Sequence, residues 1–149
     1  MKQFHVRIAR EALLALIRKF EGLRLKPYLC PAGVPTIGYG HTGKDVTLSM
    51  APISEPVAEA TMHQDAEVFM RAAGNLSPVL WFDEDKHAAI ADFCFNLGSS
   101  RYKASTLKRR IDVGDWEGAR DELAKWVWGG GRKLPGLVAR RAAEAGLLK

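Results

Sequence analysis

A chain of 149 residues, 47% hydrophobic and 26% charged, is long enough for one domain with a real core, and its composition excludes a disordered, fibrous or membrane-embedded chain. Lys and Arg outnumber Asp and Glu by 22 to 17, a formal net charge of +5. Such a surface suits a polyanion but does not choose between nucleic acid, an anionic membrane face and a bacterial cell wall. The two cysteines, Cys30 and Cys94, are too few for a disulfide framework and are read as free thiols.

Apolar residues Ile8, Leu13, Leu14, Ile17 and Phe20 recur at helical spacing, and Gly22 suits a helix stop, so the first helix is predicted from Ile8 to Glu21. Its apolar stretch, Ala12 to Ile17, is too short for a signal-peptide core or a membrane span. From Leu23 to Met50 the texture changes to glycines and prolines separating short apolar pieces such as Val34 to Tyr39, which reads as short strands and tight turns. Ser54, with Pro56 in the first turn, caps an amphipathic connecting helix to Ala73.

The remainder is helical in pieces. Asp83 caps a segment reaching Leu97, with Gly98 as its stop. A shorter piece covers Ser105 to Val113, Asp115 caps another to about Trp126, and Leu134 to Leu147 closes the chain after a flexible joint at Gly129, Gly130 and Gly131. The late basic residues, among them Lys108, Arg109, Arg110, Arg132 and Lys133, are interleaved with acids and read as solvated helix faces. Trp81, Trp116, Trp126 and Trp128 are read as mostly core.

This is an α+β plan in a single domain over 1–149. A β-rich lobe spans about 23–53, a helical lobe about 1–22 and 74–149, and a connecting helix about 54–73. The junction of the lobes is a natural place for a cleft, and Glu21 falls there. A glutamate at a helix end beside a glycine is ordinarily a solvated charge. In a cleft, it becomes a candidate for the protonated acid that glycosidic cleavage requires.

The run Glu21-Gly22-Leu23-Arg24-Leu25-Lys26-Pro27-Tyr28, then Thr36-Ile37-Gly38-Tyr39-Gly40-His41-Thr42, resembles the phage-type lysozymes, or endolysins, of glycoside hydrolase family 24. The likeness continues through Phe95-Asn96-Leu97-Gly98, Ser105-Thr106-Leu107, Trp126 and Gly136 to Arg141, nearly the whole chain. The resemblance implies a lysozyme-like fold and hydrolysis of the β-1,4 bond between N-acetylmuramic acid and N-acetylglucosamine. By it, Glu21 is the general acid, Thr36 holds the attacking water or lines the site opposite, and His41 orients the loop. It also implies that Arg140 or Arg141 pairs with Glu21. Asn96, Ser105 and Thr106 are candidates to hydrogen-bond the sugar, and equally candidates for helix-end caps.

At the ninth position after Glu21 the family's commonest form carries Asp, and this chain carries Cys30. Three readings stay open: a thiolate doing the carboxylate's work, a spacer with water left to Thr36, or an inert replacement in a weakened enzyme. Asp45 is a further candidate for the second carboxylate. The stereochemical outcome is left open with them.

Two competitors accompany the hydrolase. A lytic transglycosylase acting through Glu21 alone would release anhydro ends, and a non-catalytic wall-binding or nucleic-acid-binding module would need only the basic helices. The missing second carboxylate makes the transglycosylase more credible, whereas binding alone gives no reason for the spacing of Glu21, Cys30 and Thr36, and aromatics that could stack bases are sparse in the basic stretches. No metal-ligand spacing or nucleotide-binding motif is present, so no metal and no cofactor are expected. Peptidoglycan is the expected partner and the chain is expected to be a monomer. The resemblance places it in the host cytoplasm until a holin-type pore releases it to the wall.

Overall fold

The computed structural model describes residues 2–149, with the side chains of residues 2–6 and 8 left aside; Ile8 and His5 therefore lie outside what is described at side-chain level. The first helix, α1 (Lys2–Glu21), begins earlier than the apolar spacing predicts and ends where predicted, at Gly22 with φ +67°. Ala9, Leu13, Leu14 and Ile17 are its fully buried stripe.

Three short antiparallel strands follow: β1 (Arg24–Leu29), β2 (Pro35–Gly38) and β3 (His41–Thr42), in the order β1-β2-β3. Their register sets Tyr28 opposite Thr36 and Thr36 opposite Thr42. Pro27 is tolerated because β1 is an edge strand whose pairing is irregular between Arg24 and Tyr28.

The connecting helix, α2 (Glu55–Leu76), has the expected Ser54 cap, the serine hydroxyl accepting from the Val57 N–H, and runs one turn further than predicted. Ala58, Met62, Ala66, Met70 and Ala73 form one buried seam along it, spaced by three and four residues. A 3₁₀ turn (Pro78–Phe82) leads to α3 (Glu84–Leu97), capped by Asp83 and stopped by Gly98 as expected.

Residues 87–94 of α3 are buried without interruption, as befits a helix surrounded by α1, α2 and later helices. Among these are α4 (Ser99–Lys103), too short to have been anticipated, whose Tyr102 ring meets Phe93, and α7 (Pro135–Gly146), and Phe93 also meets Trp126 in the segment beyond α6 (Trp116–Leu123). The remaining helix, α5 (Thr106–Asp112), is capped by Ser105, and Asp115 caps α6.

The glycine run is a tight turn rather than a flexible joint. Gly130 (φ +58°) and Gly131 (φ +79°) connect β4 (Trp128–Gly129) to β5 (Arg132–Lys133), and two consecutive positive φ values match the twist of a two-residue hairpin. Trp116 and Trp126 pack on the core, but Trp128, on that hairpin, is 63% exposed. Among the described residues no helix is long and apolar enough to cross a membrane.

Two polar ties hold the small sheet to α2. The Tyr39 hydroxyl donates to Glu59, which also receives Arg18 of α1. His41 lies 2.8 Å from Asp65 through Nδ1 and 3.0 Å from Asp45 through Nε2.

Candidate active site

The site is built where α1 ends and the sheet begins. Glu21 is the last residue of α1, and its side chain is only 20% exposed. Arg140 of α7 donates from Nη1 to Glu21 Oε1 at 2.6 Å, and from Nε and Nη2 to both oxygens of Asp92 at 2.9 and 2.8 Å. One planar guanidinium, 4% exposed, thus aligns two carboxylates, a geometry that lysine could not reproduce. Burial works against the Arg140 charge, but the hydrogen bonds and charges of Asp92 and Glu21 outweigh it and raise the guanidinium pKa further.

The other carboxyl oxygen of Glu21 faces the turn between β2 and β3. Gly40 adopts φ +70°, and a Cβ there would stand 2.6 Å from Glu21 Oε2. The glycine is required twice over, by its left-handed backbone and by the carboxylate pressed against it.

Cys30 follows β1 and opens a tight turn in which its N–H donates to the Val34 carbonyl and its own carbonyl accepts from Gly33. Burial pushes its thiol pKa up, yet the N–H groups of Val34, Ala32 and Gly33, together with the Thr36 hydroxyl, bring it below the ordinary thiol value. Successive N–H groups around a turn form an anion-favouring hollow. Thr36 is 3% exposed and donates from Oγ1 to the Val34 carbonyl at 2.8 Å. It has one hydroxyl proton and two acceptors within reach, so donating it to the sulfur means releasing Val34.

Tyr28 stands opposite Thr36 in the strand register. Burial, then the charge of Glu21, and more weakly Cys30, raise its phenol pKa, while Arg24, stacked 4.1 Å from the ring, opposes them. Tyr28, Cys30 and Thr36 therefore group at the β1–β2 turn, with the charge of Glu21 reaching Tyr28 from the end of α1.

The other predicted residues divide. Of the two candidate arginines, Arg140 meets Glu21; Arg141 points elsewhere, donating to Asn96 at 2.9 Å and to Glu144 at 2.7 Å. Adjacent helical residues are about 100° apart, so they face different neighbours. Ser105 is not presented to a ligand: it is 6% exposed, and its hydroxyl donates to the Tyr102 carbonyl and accepts from the Lys108 N–H as the cap of α5. Thr106 receives Arg109, and the Asn96 carbonyl oxygen is occupied by Arg141, which leaves its NH₂.

Asp45 is 72% exposed and committed to His41, so it is not placed as a second carboxylate for Glu21. His41, with a carboxylate on each ring nitrogen, is raised to about 9, first by Asp65, against desolvation, and then by Asp45. It is an imidazolium clamp between β3, the following loop and α2.

Sequence reasoning missed Asp92 and Glu144, both fully buried. The available signal was a lone acid inside the apolar run from Ala88 to Phe95. Cys94, in the same run, is fully buried, and burial pushes its thiol up to about 12, which makes it packing. A cavity of about 200 Å³ between α6, α7 and the second hairpin is lined by Arg120, Val127, Lys133 and Arg141 among others, and by none of Glu21, Cys30 or Thr36.

Solved structures place this architecture among the lysozyme-like glycoside hydrolases. The muramidase domain of SpmX from Asticaccaulis excentricus is 29% identical and superposes with a TM-score of 0.75 over 92% of this chain and 94% of that one. An endolysin from the Escherichia coli O157:H7 phage FAHEc1 is also 29% identical, with a TM-score of 0.76 over 92% and 90%.

The family model for phage lysozyme matches residues 18–144, and the chain belongs to that family. Among curated relatives, an endolysin of Acyrthosiphon pisum secondary endosymbiont phage 1 is 39% identical over 142 residues, covering 91% of this chain and 94% of its own. A SAR-endolysin of Bacteriophage PS119 is 36% identical over 126 residues, 83% and 73% of the two chains. The protein is a peptidoglycan-hydrolysing lysozyme of the endolysin type.

Proposed function

We propose that Glu21 is the general acid for cleavage of the β-1,4 bond between N-acetylmuramic acid and N-acetylglucosamine. The observation that carries this reading is the unequal setting of its two oxygens. Oε1 is pinned by Arg140, whereas Oε2, against Gly40, is the oxygen left to carry a proton to the leaving group.

Cys30 and Thr36 manage the water on the other face of the sugar. The hollow of N–H groups that lowers the thiol favours the thiolate among the three readings, because an anion there can accept the water's proton. Thr36 orients that water, and His41 holds the β2–β3 turn against α2 so that Gly40 stays beneath Glu21. The net charge of +5 favours approach to an anionic wall.

The deciding experiment is mass spectrometry of fragments released from purified peptidoglycan by the wild type and by Glu21→Gln. Hydrated reducing ends, absent with the variant, are the expected result. Undiminished lysis by Glu21→Gln would sink the assignment, and anhydro ends would move the chain to transglycosylase chemistry.

We further propose a monomer that reaches the wall from the host cytoplasm through a holin-type pore. Lysis on expression with a co-expressed pore-former, and none without it, is expected; sedimentation gives the oligomeric state.

A further inference from the structure

Behind Arg140 lies a second layer that the cleavage chemistry does not use. Asp92 of α3 and Glu144 of α7 are both fully buried, and burial together with the neighbouring Asp92 pushes the Glu144 carboxyl well above its ordinary value. Two neighbouring carboxylates in a dry interior resist being ionised together, so one of the pair is expected to keep a proton. The partners decide which group holds it. Both oxygens of Asp92 already accept from Arg140, so Asp92 is the partner placed to receive rather than to give a hydrogen. Glu144 accepts from Arg141 at Oε1 only, and its buried Oε2 meets no donor among the described residues. An acceptor that finds only another acceptor is explained if it carries a hydrogen.

We infer that Glu144 is a positioning residue for the catalytic acid: as a neutral carboxylic acid it donates from Oε2 to Asp92 and keeps that carboxylate square on Arg140, which in turn aims Glu21. The chain of contacts is continuous, from Arg141 to Glu144, to Asp92, to Arg140 and to Glu21. The titratable or charged groups facing Glu144 are Asp92 and Cys94 on α3 and Arg141 on its own helix; Arg140 connects it to α1, and Arg120 of α6 lines the neighbouring cavity with Arg141.

The inference rests on Glu21 being the acid, and its test separates the two. Isotope-edited infrared spectroscopy of the resting protein reads the Glu144 proton without any turnover: a carboxylic-acid C=O band at neutral pH that disappears in Glu144→Gln is expected. Absence of such a band in the wild type overturns the inference even if Glu21→Gln is inactive.

The second readout is the pH profile of kcat/KM. Glutamine mimics the neutral acid, so Glu144→Gln should leave the alkaline limb in place. A limb displaced by half a unit or more in Glu144→Gln would mean that an ionised carboxylate had been removed, and the inference would be wrong. Glu144→Val removes the donor: kcat should fall about tenfold with little change in KM, and Gln at the same position should restore it. Equal kcat in a folded Glu144→Val protein overturns the positioning role; should that variant not fold, the infrared band and the Gln profile still decide.

Discussion

Arg140 Nη1 and Glu21 Oε1 meet at 2.6 Å although 119 residues of chain separate them. That contact joins the last helix to the end of the first, and the same guanidinium holds buried Asp92. Lysine at position 140 keeps the charge but cannot satisfy three acceptors in one plane. Arg140→Lys should lower kcat/KM about a hundredfold, and Arg140→Met should also destabilise the fold by about 3–5 kcal/mol, because fully buried Asp92 and partly buried Glu21 lose their partner. Denaturant unfolding beside a turbidity assay on cell walls measures both; a Met variant with unchanged stability would refute the account.

Gly40 should tolerate no side chain. Alanine there costs about 1–2 kcal/mol for the left-handed backbone alone. Its Cβ also displaces Glu21 Oε2, from which it would stand only 2.6 Å away. Activity should therefore fall further than the loss of folded protein explains, and circular dichroism melts run with steady-state rates will separate the two losses.

Cys30 makes the chemistry sensitive to thiol reagents. If the thiolate acts as the base, Cys30→Ser should lose most activity, Cys30→Asp should recover it, and alkylation of the wild type should inactivate it in step with the loss of free Cys30. The limb of the pH profile that Cys30 sets should lie below the free-thiol value, since the surrounding N–H groups lower this thiol. Full activity in both the Ser variant and the alkylated protein would leave Cys30 as a spacer.

His41 ties stability to pH. Its folded value of about 9 lies above the ordinary histidine value, so its contribution is fully present below about pH 6.5 and is lost as pH rises through 9. Most of it comes from Asp65, 17% exposed, since Asp45 is 72% exposed and screened. The stability difference between the wild type and His41→Gln should be about 2 kcal/mol at pH 6 and close to zero at pH 10, followed by thermal melts. A difference independent of pH would show that the imidazole acts by packing alone.

Much of the fold was legible because it rests on short-range chemistry. Ser54, Asp83 and Asp115 cap helices with their own side chains, and a glycine with positive φ follows α1 and α3, so those boundaries need no distant partner. The glycine run at 129–131 was legible too, as a Gly-Gly hairpin turn, but without strand periodicity around it the run looks like a joint. Ser105 shows the opposite ambiguity: a serine before an apolar residue fits a cap or a ligand contact, and only its hydrogen bonds show the cap.

The order of Glu21, Cys30, Thr36, Gly40 and His41 along one helix end and three short strands was determined by the sequence itself, because the residues that build that segment are neighbours in the chain and their turns dictate their spacing. Which arginine reaches Glu21, and that Asp92 and Glu144 stand behind it, was decided by tertiary structure. A helix turns about 100° per residue, so the choice between Arg140 and Arg141 depends on how α7 is rotated against α1 and α3. That rotation is set by the packing of the whole helical body, which no local pattern contains.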